Sequence, residues 1–249
     1  MKRIILLLIL TIIFQSCSKT DDDTDNNCTS NCTILKGRFV TENNTPLKDI
    51  KLRLDYRISN APFSASTRII KETKTDENGY YSMEFYLEES EIGENGQGFF
   101  ALLIDESNLN PENYIRQDAV YIGETIYSLP TRDTIIDKSF YIPTKDFITV
   151  TLNNFVPLED SDSFEVRTYF PSGLYIGQNN FIDSEYATQS SGFGNYKSTS
   201  QNQTFENVLV AKNEPNVITV FRHKNGIGTT EQFIIFVPDN NNIELTYEY

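Results

Sequence analysis

The stretch Thr75-Asp76-Glu77-Asn78-Gly79-Tyr80-Tyr81-Ser82-Met83-Glu84-Phe85-Tyr86-Leu87 holds a turn and then a strand. Asn and Gly tolerate positive φ, so Asp76 to Gly79 predicts a hairpin turn. After it, Tyr81, Met83, Phe85 and Leu87 fall on one face, the period-2 pattern of a sheet with one buried side. Upstream, Ile50, Leu52, Leu54 and Tyr56 alternate with Lys51, Arg53 and Asp55 in the same way. Ile34 to Val40 and Arg68 to Thr75 predict further strands. Phe99 to Asp105 and Thr134 to Ile142 are candidate closing strands, with 106–132 as a long Asn- and Pro-containing connection between them.

Three of these pieces recur in a known order. Gly37-Arg38-Phe39-Val40 is a strand with Gly, Pro46-Leu47-Lys48-Asp49-Ile50 a Pro-Leu turn into a strand, and Thr75 to Ser82 a T-D-x-x-G-x-Y hairpin. On these residues, 34–87 resembles the carboxypeptidase regulatory-like (prealbumin-like) β-sandwich. The resemblance implies a structural module without catalytic residues.

Pro143-Thr144-Lys145 marks a boundary, after which the alternation resumes in Ile148, Val150 and Leu152 and again in Phe164, Val166, Thr168 and Phe170. A Gly-, Ser- and Asn-rich span, 171–202, reads as a long loop. Strands are expected at 204–211, 217–222, 231–237 and 243–249, with turns at 224–226 and 238–242. Short strands at regular spacing predict a second sandwich. Composition agrees: Thr, Ile, Val, Phe and Tyr are plentiful and Trp is absent, a balance that suits pleated surfaces. The expected fold class is all-β, with two consecutive antiparallel β-sandwiches (Ig-like or prealbumin-like), 33–143 and 144–249.

The amino-terminal end reads as an address. Lys2 and Arg3 precede an apolar run from Ile4 to Phe14, 11 residues broken only by Thr11. That is too short to cross a bilayer, which takes about 20 residues, and has the length of a signal-peptide core. Phe14-Gln15-Ser16-Cys17 resembles the lipobox of bacterial lipoproteins, which implies cleavage after residue 16 and a lipid on Cys17. Ser18 to Asn27 (SKTDDDTDNN) has no apolar residue and reads as a flexible tether within 17–32. Asp21, Asp22, Asp23 and Asp25 lack the shaped turn and distal carboxylate of a calcium loop. The run is similar to the acidic signal that follows the lipidated cysteine in surface-exposed Gram-negative lipoproteins. It implies an outer-membrane protein exposed at the cell surface.

Charge excludes one class of partner. The chain carries −14, and −16 once 1–16 and their two cations are removed. No basic stripe is present to neutralise phosphates, so nucleic acid is not a partner.

Chemistry has few footholds. Cys28 and Cys32 are candidates for a disulfide in an exported protein, with free thiols as the other reading. Two thiolates and the distant His223 do not complete a zinc site. His223 lies at a strand edge, and no G-x-S-x-G elbow accompanies it. Gly93, Gly96 and Gly98 form no phosphate loop, lacking GK[ST] and a helix start. No catalytic residue, metal or cofactor is therefore assigned. The expected role is a non-enzymatic, lipid-anchored envelope module for a protein or glycan partner. Tyr175, Phe181, Tyr186, Phe193 and Tyr196 are its candidate contact residues, unless they pin the long loop to its own sandwich. The other reading is a surface glycoside hydrolase working through a carboxylate pair, which has no sequence signature.

Overall fold

The computed structural model describes residues 28–60, 64–93, 96–116, 122–127, 129–174, 190–198, 201–240 and 242–249. Among them the chain is all-β, its only helical pieces being the 3-10 turns Glu42–Asn44 and Glu89–Glu91. In chain order the strands begin with β1 (Thr33–Thr41), β2 (Thr45–Pro46), β3 (Lys51–Asn60), β4 (Ser64–Lys74), β5 (Tyr80–Phe85) and β6 (Phe99–Asp105). They continue with β7 (Ile122–Ile126), β8 (Ile135–Asp137), β9 (Phe140–Tyr141), β10 (Lys145–Asn153), β11 (Ser163–Pro171) and β12 (Gly173–Leu174). The last five are β13 (Ser190–Ser198), β14 (Gln203–Ala211), β15 (Pro215–Lys224), β16 (Ile227–Phe236) and β17 (Glu244–Glu248).

Two sheets enclose the first core. In one, β1 is central, antiparallel to β5 and β2 and parallel to β8 and β9. The other runs β4-β3-β6-β7, antiparallel throughout. Leu35, Phe39, Met83 and Phe85 from the first meet Leu52, Leu54, Phe100 and Leu102 from the second, all buried. A second core lies between β14-β10-β17 and β13-β11-β15-β16. It holds Ile148, Val150, Leu152, Val208 and Val210 against Phe164, Val166, Ile218 and Val220. Alternation in β5 and β10 is the alternation read from the sequence, because each has one face on a core.

Four expectations are corrected. Asp76 to Gly79 is not a hairpin: β4 pairs with β3 and β5 with β1, so the turn carries the chain from one sheet to the other. Three pairings, β1 with β8, β1 with β9 and β10 with β17, are parallel rather than antiparallel. The 106–132 connection contains β7, and the 171–202 span contains β12 and β13. β12 leaves the second half to pair with β9 of the first.

The corner explains its motif. Thr75 is buried, and its hydroxyl donates to Leu47 O at 2.7 Å while accepting from Ile50 N at 3.0 Å. Asp76 Oδ1 accepts from the backbone N–H of Asn78 and Tyr80, closing the turn. Gly79 has φ +76°, and a Cβ there would stand 2.4 Å from Phe39 O. Its own carbonyl accepts from Phe39 N at 2.9 Å. Thr, Asp and Gly thus fasten the Pro46–Ile50 segment to both sheets.

Candidate functional site

Cys28 and Cys32 are paired as a disulfide, Cα atoms 5.6 Å apart, directly before β1. Beside this loop a polar recess is lined by Asn31, Glu89, Ile92, Thr131, Arg132 and Asp133. Arg132 is held by two donations, Nε to Leu87 O at 2.7 Å and Nη1 to Glu89 Oε1 at 2.6 Å, and lies 4.5 Å over the Tyr86 ring. Among the described residues its lining offers hydroxyl and carboxylate groups but no thiol or imidazole, and its cation, Arg132, is committed to Glu89.

Ionisable groups elsewhere serve the fold. Asp55 is fully buried on β3 and clasped by Arg53 and Arg57, two residues away on either side. Buried Glu91 takes a two-point contact from Arg68. Glu165 pairs with Arg167, and buried Glu214 accepts from the Tyr141 hydroxyl. Asp162 accepts from the N–H groups of Leu158, Glu159 and Asn225. The Leu158 N–H is the largest influence holding its carboxyl below the usual range. Asp49 (through Lys74), Asp105 (through Ser107) and Asp239 (through Lys212) are likewise held low. A glycosidic general acid needs the opposite displacement. The His223 Nδ1 is 3.0 Å from Ser161 O, a carbonyl rather than a carboxylate or hydroxyl. Among the described residues, no three His, Cys, Asp or Glu side chains gather as metal ligands.

Cys17, the candidate lipidation site, and Tyr175, Phe181 and Tyr186 of the candidate contact residues lie outside the described residues. Phe193 sits on β13 opposite Tyr169, its side chain likewise outside the description. Tyr196 is placed by its contacts. Its hydroxyl donates to Asn207 O at 3.2 Å and accepts from Leu209 N at 2.7 Å, and its ring lies 5.5 Å from Phe205. It pins β13 to β14, the alternative role that the sequence left open for these aromatics.

Four exposed apolar side chains share one strand, β16: Ile227, Phe233, Ile234 and Phe236 are 68%, 41%, 70% and 59% accessible. The sequence reading had placed 231–237 as an ordinary strand. The available signal was the unalternating Phe233-Ile234-Ile235-Phe236 in a strand with a single charge.

No protein-family model and no curated protein matches this sequence. Among solved structures, it is similar to the Bacillus anthracis TIE protein at 13% identity, over 88% of this chain and 33% of that one, with a TM-score of 0.28. It is similar to a streptococcal ancillary pilin at 8% identity, over 88% and 63% of the two chains, with a TM-score of 0.30. A third likeness is to the shaft pilin SpaA of Lactobacillus rhamnosus GG, at 10% identity over 87% and 96%, with a TM-score of 0.27. The chain thus spans about a third of the first and under two thirds of the second. At such TM-scores, fold and function rest on this chain's own residues.

Proposed function

We propose that the chain is a non-enzymatic envelope protein, anchored to the outer membrane by lipid on Cys17 and displayed at the cell surface on the tether 18–27. Two β-sandwich domains follow, 33–143 and 144–249, the first of the carboxypeptidase regulatory-like kind on the strength of its corner motif. They serve as a structural or interaction module toward a protein or glycan partner. One observation carries this reading: the buried carboxylates and the histidine are committed to the fold, while the apolar side chains of β16 are left exposed. The Cys28–Cys32 pair supports export, since such bridges persist in oxidising compartments.

The test is fatty-acid labelling and protease accessibility in intact cells, with Cys17→Ala beside the parent. The parent should be labelled and cleaved from outside, and both properties should vanish in the variant. A labelled Cys17→Ala protein would falsify the anchor. Protection that ends when the outer membrane is opened would place the protein in the periplasm and remove the surface role.

A further inference from the structure

The geometry points to self-association: the free edge of β16 pairs antiparallel with the same strand of a second copy, about a two-fold axis at Gln232. This goes beyond the anchoring proposal and is independent of it, because a chain without lipid carries the same edge.

The argument begins with backbone groups. β15 and β16 are joined by the two-residue turn Asn225-Gly226, both at positive φ, with Lys224 opposite Ile227. In such a hairpin the closing pair exchanges hydrogen bonds and pairs then alternate. Ile227, Thr229, Glu231, Phe233 and Ile235 therefore bond inward to β15. Two observations agree: Pro215, with no N–H, lies opposite Phe236, and Val237 N donates inward to Glu214 O. Gly228, Thr230, Gln232, Ile234 and Phe236 consequently point their N–H and C=O groups away from β15. Among the described residues, no strand meets them.

Among the described residues, the other sheet edges of more than six residues are protected. β4 carries a bulge and the charges Arg68, Lys71, Glu72 and Lys74. β14 is bulged, and Tyr196 covers its Asn207 and Leu209 backbone groups. β13 has a register shift and Lys197, and β7 and β17 are five residues long. β16 has ten residues in unbroken register, no Pro, Lys or Arg, and one acid, Glu231, already paired with Arg222 at 2.7 Å. Bulges, charges, Pro and short length are the devices that keep edges apart. β16 lacks them.

The register selects a second copy. A two-fold axis normal to a continuous sheet keeps each residue on its own face, so it must pass through a residue pair. Centred on Glu231, it would set two like charges directly opposite. Centred on Gln232, it pairs Gln232 with itself, Thr230 with Ile234, and Gly228 with Phe236 of the second copy. All five outward residues then find partners, an aromatic ring covers each edge glycine, and Glu231 meets Phe233. The other centres shorten the overlap.

The test uses the full chain, extracted from envelopes in mild detergent. Sedimentation should show a reversible dimer of the chain, and Ile234→Lys should weaken it at least about tenfold by placing a charge on the edge. The Ile234 side chain is exposed, so at dilutions where both proteins are monomers the melting transition should not move. A short bis-maleimide should cross-link Gln232→Cys to a dimer far better than Ile135→Cys, which is exposed on β8 of the first sheet. A monomer at every soluble concentration, a dimer indifferent to Ile234→Lys, or equal cross-linking of the two cysteine variants overturns the proposal.

Discussion

Thr75 shows how much of the fold depends on single hydroxyls. Thr75→Val keeps shape but leaves Leu47 O and Ile50 N without their partner in a buried corner. It should cost about 1–3 kcal/mol, read as a lower urea midpoint at unchanged slope. Gly79→Ala should cost more than the roughly 1–2 kcal/mol of left-handed backbone, because its Cβ meets Phe39 O. Asp162 sets a pH limit. Its carboxyl binds protons less readily folded than unfolded, so its contribution is complete above about pH 4 and lost as pH falls through the lowered value. Tyr247 acts at the other end: burial first raises its hydroxyl to about 12, so stability should fall as pH rises from about 10 towards that value. Denaturant midpoints at pH 3, 7 and 11 for the parent, Asp162→Asn and Tyr247→Phe check both, and variants that keep the parent's profile would refute the assignments. The corner motif was legible in the sequence because Thr, Asp and Gly have local jobs there. The clasp on Asp55 was not: its place in the alternation put it on the polar face, and burial came from the arginines folding over it. The left-handed non-glycine residues are also informative. Among the described residues all nine are Asn or Asp, which gives the chain's Asn richness a turn-forming reason.

At the element scale, strands with one face on a core were readable, and those defined by a distant partner were not. Ile50 to Tyr56 and Ile148 to Leu152 advertise themselves by alternation. β12 is two residues long and exists only because Phe140–Tyr141 offers an edge. β13 begins Ser190-Ser191-Gly192, which has no strand preference of its own, and is held by register with β11. The turn at 76–79 was legible as a turn, but its destination was not, since local geometry does not say which sheet receives the next strand. Tyr196 is the element-level device with a measurable consequence. Tyr196→Phe keeps the ring on Phe205 and removes both edge contacts to β14. Amide exchange at Leu209 should accelerate, and stability should drop by about 1–2 kcal/mol. Unchanged exchange would mean that water serves the edge equally well.

Across the whole molecule, the two cores are tied by several polar contacts. Tyr141 donates to Glu214, Asn213 donates to Glu42 at 2.9 Å, and Lys145 N donates to Asn113 O at 2.8 Å. With the β12–β9 pair, these predict that the halves unfold together. Scanning calorimetry should show one transition, and Tyr141→Phe should lower it as a unit. Two separating peaks would show the ties to be weak. None of these ties was legible, because each joins residues far apart in sequence through side chains of unremarkable type. The position of β1 has a mechanical meaning as well. A pull arriving through residues before Cys28 enters the molecule at Thr33, along the axis of a strand flanked by β5 on one side and β8 and β9 on the other. Drawing β1 out lengthwise must shear both rows of hydrogen bonds at once rather than peel them singly, so a load applied along β1 is resisted in shear.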